Sequence, residues 1–194
     1  MTPCWRGRPI REEASARLDG EIATLRQPFQ AELTQLDSIP GVSQRIAEGL
    51  SAESGVDMTP FANAQRLASW AGMCPGNPES AGRRKSGKTR QGSPWLRGAL
   101  AEAAHGAART KQSYLAAHYR RLAARRGSRR AIVAVGHTIL TLSDYRLTRH
   151  TRYEDLGPNY YDERDREGVK RRAVRRLEQL GYQVVLSPSV STPT

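Results

Sequence analysis

The chain has 194 residues, room for one domain with helical extensions, and its 31 Lys and Arg against 19 Asp and Glu leave a formal charge of +12 that attracts polyanions such as nucleic acid or acidic membrane. Two distant cysteines, Cys4 and Cys74, exclude a zinc site and a disulfide framework and favour a reducing cytoplasm. No apolar run approaches the roughly 20 residues of a bilayer span, and the basic start lacks the apolar stretch of a signal peptide.

In residues 12–36, Leu18, Ile22, Leu25, Phe29, Leu33 and Leu36 recur every three or four positions, the seam of an amphipathic helix or short coiled coil. Gly20 weakens it, and Pro28 is expected to kink it. Such a helix packs either on its own domain or against a second subunit. Ile39-Pro40-Gly41-Val42-Ser43 then breaks the chain, with Ser43 placed to cap a helix running to about Ser54 and Gly55 to stop it. A second short helix is expected over residues 61–71, ended by Gly72. The pair has the outline of a helix-hairpin-helix, but Ser43 stands where that motif usually carries a second glycine, and a purely structural turn fits equally well.

Residues 73–92, rich in Gly, Pro, Ser and cations, read as an exposed loop. Beyond it Ser93 and Pro94 suit an N-cap and first helical position, and Leu96, Leu100, Ala103, Ala104 and Ala107 form one helical face. Helices are expected over 112–126 and 129–144, the latter with Ile132, Val135, Ile139 and Leu142 turned inward. In the tail, residues 162–180 are charged and helix-like with Val169, Ala173, Leu177 and Leu180 as a thin apolar stripe. Residues 182–186 suit a short strand, and 187–194 are expected to be disordered. The expected fold is mainly α: an N-terminal coiled-coil-like helix (1–37), a compact multi-helix domain with a hairpin-like start and a basic loop (38–152), and a charged helical tail (153–194).

The charge is concentrated. Between residues 80 and 143, fourteen Lys and Arg face one acid, Glu102, so the rest of the chain is near neutral. In the loop, Arg83, Arg84, Lys85, Lys88 and Arg90 sit among Gly82, Gly87 and Gly92, which let the backbone approach a ligand. Arg120, Arg121, Arg125, Arg126, Arg129 and Arg130 follow, with Lys111, Tyr114 and Tyr119 beside them, a set suited to phosphates, sugars and bases. A solvated basic loop is the plain alternative, and Tyr119, four residues from Leu115, suits a core equally well.

Ser80 opens the loop. A serine hydroxyl is a weak nucleophile without a base or a supporting field. Attacking a phosphodiester, it has Arg83 and Arg84 within reach to neutralise the non-bridging oxygens. The nearest carboxylate in sequence is Glu79, and a loop serine is more often a turn residue. Gly-rich phosphate loops, zinc spacings and His-x-x-x-His pairs are absent. His105 and His137 lie on or beside apolar faces, as core histidines do, while His118 and His150 are dispersed. The late acids Asp162, Glu163, Asp165 and Glu167 read as a solvated face, so no metal site is expected in this chain.

The stretches Ile39-Pro40-Gly41-Val42, Leu67-Ala68-Ser69-Trp70-Ala71-Gly72-Met73-Cys74-Pro75-Gly76-Asn77 and Glu79-Ser80-Ala81-Gly82 resemble the C-terminal domain of the transposases of insertion-sequence family 110. The blocks Trp95-Leu96-Arg97, Tyr114-Leu115-Ala116-Ala117 and Arg120-Arg121-Leu122-Ala123-Ala124-Arg125-Arg126-Gly127 extend the likeness. The resemblance implies a two-part enzyme, in which an N-terminal RuvC-like domain with four acidic residues binds Mg²⁺ and the C-terminal domain supplies a serine nucleophile. Working as a dimer or tetramer with a structured bridge RNA, the two parts cut and rejoin DNA through a covalent serine–DNA intermediate. By this resemblance Ser80 takes the nucleophile position, and residues 18–36 are similar to the end of the helical connector between the two parts.

The departures carry expectations too. No acidic RuvC-like sequence is present, so the chain is expected to begin inside the connector, to hold no cofactor of its own and not to recombine DNA alone. Residues 142–151 lose the apolar continuation of their helix, which leaves its packing open. The function implied is DNA transposition, with DNA, bridge RNA and a second copy or full-length transposase as partners and no membrane. The alternative is a non-catalytic nucleic-acid-binding or dimerisation remnant that regulates a full-length transposase.

Overall fold

Pro28 divides the first helical stretch, in a computed structural model that describes residues 8–74, 79–80, 83–84, 89 and 91–187. α1 (Arg8–Leu25) gives way to a 3-10 turn (Gln27–Phe29) before α2 (Gln30–Asp37), because proline has no N–H to continue the ladder. The apolar seam divides with it. Leu33 and Leu36 are buried in the domain, whereas Leu18, Ile22, Leu25 and Phe29 are exposed. An Arg26–Glu48 ion pair of 3.1 Å ties this bend to the helix that follows α2.

α3 (Gln44–Ser54) starts after Ser43 and stops at Gly55, whose φ of 75° is open to glycine. The turn that joins α2 to α3 is used for packing. Gly41 has φ +89°, and a Cβ there would stand 2.2 Å from the Ala103 carbonyl oxygen and 2.3 Å from the Ala107 nitrogen. Val42 is buried and its N–H is spent on the Ile39 carbonyl at 2.9 Å. Gly41 and Val42 of the turn are therefore committed to packing, while Ser43 beyond them is exposed.

α4 (Ala64–Trp70) begins later than its apolar pattern suggested. Asp57 accepts the Thr59 N–H (2.9 Å) and hydroxyl (2.7 Å), and Pro60 follows, so the segment before it is turned. Asn63 then caps the helix by accepting the Arg66 N–H at 3.0 Å.

α5 (Pro94–Arg109), α6 (Tyr114–Arg126) and α7 (Ser128–Arg149) form the centre, and α7 is the hub on which α2, α4, α5 and α6 pack. The Ser93 hydroxyl accepts the Leu96 N–H at 3.3 Å with Pro94 in the first turn, as the sequence suggests. The predicted face of α5, from Leu96 to Ala107, is wholly buried. Leu100, Leu115, Val135 and Ile139 are fully enclosed as well, and each such side chain contributes about 1.5–3 kcal/mol.

α7 also corrects an expectation, since it runs to Arg149 and keeps its packing past Leu142. Ser143 is buried with its hydroxyl donating to the Ile139 carbonyl at 3.0 Å, and Leu147 returns to the core.

The tail is stitched back before it becomes helical. The Tyr153 N–H donates to Ser38 Oγ at 2.8 Å, and Asp155 Oδ1 accepts the N–H of Tyr114 at the start of α6 at 2.9 Å. α8 (Tyr160–Arg164) and α9 (Arg166–Gln179) follow. No strand forms at residues 182–186, where Tyr182, Val185 and Leu186 are exposed with no neighbouring strand to pair. The expected disordered end lies outside the described residues beyond Ser187.

Candidate nucleic-acid interface

Two segments carry the predicted cations. In the first, an antiparallel pair replaces the irregular loop expected there: β1 (Glu79–Ser80) runs against β2 (Arg83–Arg84), with Ser80 opposite Arg83 and Glu79 opposite Arg84. The register brings the Ser80 and Arg83 backbones to about 4.5–5.5 Å between Cα atoms. Lys85, Lys88 and Arg90, with Gly82 and Gly87, lie outside the described residues. At the far end Arg97 of α5 donates to Thr89 Oγ1 at 3.2 Å. Gly92 serves packing rather than ligand approach, since a Cβ there would meet the Ala71 carbonyl oxygen at 2.3 Å.

The second segment is the corner between α6 and α7. Gly127, with φ +84°, ends one helix and precedes the other, so Arg120, Arg121, Arg125, Arg126, Arg129 and Arg130 gather around a single bend. All six are exposed, as is Lys111 at the opposite end of α6. Among the described residues none of the seven pairs with a carboxylate. Arg125 and Arg126 suit the negative end of α6. Arg129 and Arg130 oppose the positive end of α7, whose first turn holds no acid and receives no side-chain cap. Uncapped first-turn amides beside two guanidinium groups favour an anion, which would relieve a repulsion the fold otherwise retains.

The tyrosines turn towards protein instead. Tyr119 packs against the core. Tyr114 stacks on Tyr161 of α8, with ring centroids 5.5 Å apart. The Tyr161 hydroxyl donates to that of Tyr114 at 3.0 Å and is hydrogen-bonded to His118 Nδ1. Arg121 covers the same ring at 5.0 Å. Burial, and then the Arg121 charge, lower the His118 pKa and favour the neutral imidazole. Burial, and then the Tyr114 hydrogen bond, raise the Tyr161 phenol pKa. His137 is half-buried with its pKa lowered by desolvation, but His105 is exposed and is not a core residue.

Sequence reasoning passed over two features. Trp95 is 81% exposed on the first turn of α5, beside the basic loop, held between the Ser93 cap and the buried Leu96. A bare indole on a helix end offers a flat apolar face on which another ring can stack. Its signal was a tryptophan one residue before the first buried leucine. The second is a cavity of about 520 Å³ between α2, residues 56–63 and the end of α7, lined by Glu32, Asp57 and Asp144 with Met58, Leu147 and His150. Burial raises the Asp144 pKa. Such a lining has the wrong sign for phosphate. Among the described residues no group of three or more His, Cys, Asp or Glu can hold a metal ion, and no helix is long and apolar enough to cross a membrane.

These elements define a mainly helical domain with an exposed cationic corner whose arginines form no ion pair among the described residues. Residues 33–120 match the family model described as Transposase IS116/IS110/IS902 family, and it is to that family's transposase domain that this part of the chain is similar. The match runs from α2 to Arg120 and includes Ser80, Arg83 to Arg90 and Lys111; the corner from Arg121 onwards lies beyond it. No curated protein matches the chain.

Proposed function

We propose that this chain is the serine-bearing, nucleic-acid-facing part of a DNA transposase, acting with a separate acidic RuvC-like domain. The observation that carries the reading is the family match across Ser80 and the basic loop, continued by six exposed arginines that have no carboxylate partner among the described residues. Ser80 Oγ attacks a DNA phosphorus: the Oγ–P bond forms, the bond to the leaving deoxyribose oxygen breaks, and the serine proton passes to a base outside the loop. Arg83, Arg84, Lys85, Lys88 and Arg90 neutralise the non-bridging oxygens. Lys111 and the arginine corner hold the flanking backbone.

By the family resemblance Mg²⁺ would be held by the acidic partner domain, and it enters no step here. A structured bridge RNA offers the same phosphates as DNA. The exposed stripe Leu18, Ile22, Leu25 and Phe29 on α1 and the following turn suits pairing with a second copy as a coiled coil. A cytoplasmic site follows from these partners.

The test incubates the chain with a RuvC-like domain and labelled DNA ends, then separates the products under denaturing conditions. A protein–DNA adduct that disappears in Ser80→Ala supports the reading; an adduct of unchanged yield in that variant refutes it. A second reading, a non-catalytic binding module, rests on the arginine corner alone and requires binding without any adduct.

A further inference from the structure

A second basic surface lies outside both the family-matched segment and the arginine corner. α9 carries Arg166, Lys170, Arg171, Arg172, Arg175 and Arg176 within 14 residues. At the helical repeat, Arg171, Arg172, Arg175 and Arg176 share one side, and Val169, Ala173 and Leu177 share the other. Every residue of α9 except Gly168, Val169 and Val174 is exposed. Arg172 is held to Asp165 at 3.2 Å and Lys170 to Glu167 at 3.7 Å, both exposed pairs that exchange at little cost. Arg171, Arg175 and Arg176 have no carboxylate partner among the described residues.

The attachment of this helix gives it a direction. The Asp165 carboxylate, between α8 and α9, lies over Gly168, where a Cβ would stand 2.3 Å from Oδ1. α8 is in turn pinned to α6 by Tyr161, with Arg121 over its ring. α9 therefore departs from beside the first half of α6, where Arg121 is the arginine of the corner that reaches its root.

We infer that α9 is a second nucleic-acid-binding element, lying in the major groove of duplex DNA held at the α6–α7 corner. The inference rests on the nucleic-acid reading of that corner but names a surface the reading does not use. A helix about 10–12 Å across fits the major groove of B-form DNA, about 12 Å wide, where phosphates flank it on both sides. The major groove of A-form RNA is too narrow to admit it. Arg171/Arg175 and Arg172/Arg176 are two rows spaced about 5–6 Å, suited to successive phosphates. The apolar side is thin for a bilayer surface, which takes a continuous face of large apolar residues.

The experiment uses the full chain and fluorescence anisotropy on a labelled 20-bp DNA duplex across a NaCl series, beside an RNA duplex and anionic phosphatidylglycerol vesicles. In one variant Arg171, Arg172, Arg175 and Arg176 are changed to Gln; a second changes Arg120, Arg121, Arg125 and Arg126 to Gln. A charge control changes Arg17, Arg45, Arg66 and Arg152 to Gln. Each phosphate that is no longer neutralised reduces the log–log salt slope by about 0.9, so the tail variant should flatten it by about 2–4 and weaken binding at least tenfold, with its helical circular dichroism retained. The control should flatten it by less than about 1. The RNA duplex should lose less affinity than DNA. An unchanged slope in the tail variant with a flattened one in the corner variant overturns the inference and leaves the corner reading standing; unchanged slopes in both variants overturn both. Equal losses of affinity in tail and control reduce α9 to bulk charge, equal losses on DNA and RNA remove the groove placement, and vesicle binding abolished with DNA binding intact assigns α9 to membranes, each overturning the inference.

Discussion

Changing Gly41 to Ala tests whether the Pro-Gly turn packs the domain or meets nucleic acid. The new Cβ would stand 2.2 Å from the Ala103 carbonyl oxygen, 2.3 Å from the Ala107 nitrogen and 3.0 Å from the Ala107 Cα, where ordinary contact begins near 3.4 Å. All three are backbone atoms of α5, so the turn and helix must part by about 1 Å, and such overpacking costs roughly 1–3 kcal/mol. An alanine held at a φ of +89° adds about 1–2 kcal/mol. The sum, about 2–5 kcal/mol, is a large share of the roughly 5–15 kcal/mol that holds a domain together. Urea unfolding followed by circular dichroism should show it as a lower midpoint. Gly106→Ala is the comparison: its Cβ meets Gly41 Cα at a milder 3.1 Å. The gain of about 1 kcal/mol from replacing a helical glycine offsets that crowding, so its net change should stay within about 1 kcal/mol. Gly41→Ala within about 0.5 kcal/mol of the parent, with DNA binding abolished, would refute the packing account and restore the hairpin as a phosphate-binding turn.

Three further outcomes follow from the same structure. Arg129→Glu with Arg130→Glu should raise thermal stability by about 1 kcal/mol, by complementing the α7 dipole, while weakening DNA binding; a drop in stability would refute the dipole argument. Asp144→Asn should stabilise the chain at pH 7, seen as a higher urea midpoint, because burial raises the folded-state pKa of Asp144 above its ordinary value of 3.8. The sign is that of a group favoured when protonated: its contribution is intact below pH 3.8 and fades as pH rises through the raised folded value, so the gain in the variant should vanish in acid. Trp95→Ala should leave stability within about 0.5 kcal/mol and weaken single-stranded DNA binding by about 1–3 kcal/mol, read by anisotropy; unchanged affinity would remove the stacking role.

What was legible in the sequence was local. Ser93, Pro94 and the five-residue face of α5 follow from capping and period alone, and Pro28 announces its own break. The later helix is harder, because Ser143 hides its hydroxyl on the Ile139 carbonyl and Asp144 faces a cavity, so a buried stretch reads as polar. The late start of α4 depends on Asn63 outcompeting an apolar pattern that begins at Phe61, and Phe61 instead packs on Trp70 at 5.5 Å.

Pairings distant in sequence were not legible. Tyr161 meets His118 across 43 residues, and nothing near either residue signals the pairing. Of the site, the cations were readable as a cluster. Their gathering around Gly127 depended on how two helices join, and the basic face of the tail helix was obscured by the acids beside it.

Binding of the wild-type chain to duplex DNA across a salt series, compared with Arg120, Arg121, Arg125 and Arg126 changed together to Gln, tests the central claim most directly. A cationic corner that holds phosphates predicts a wild-type log–log slope steeper than about −4, flattened by about 3 in the variant, with folding unchanged. A well-folded wild-type chain with a slope near zero, or a variant that binds with the wild-type slope, would contradict it.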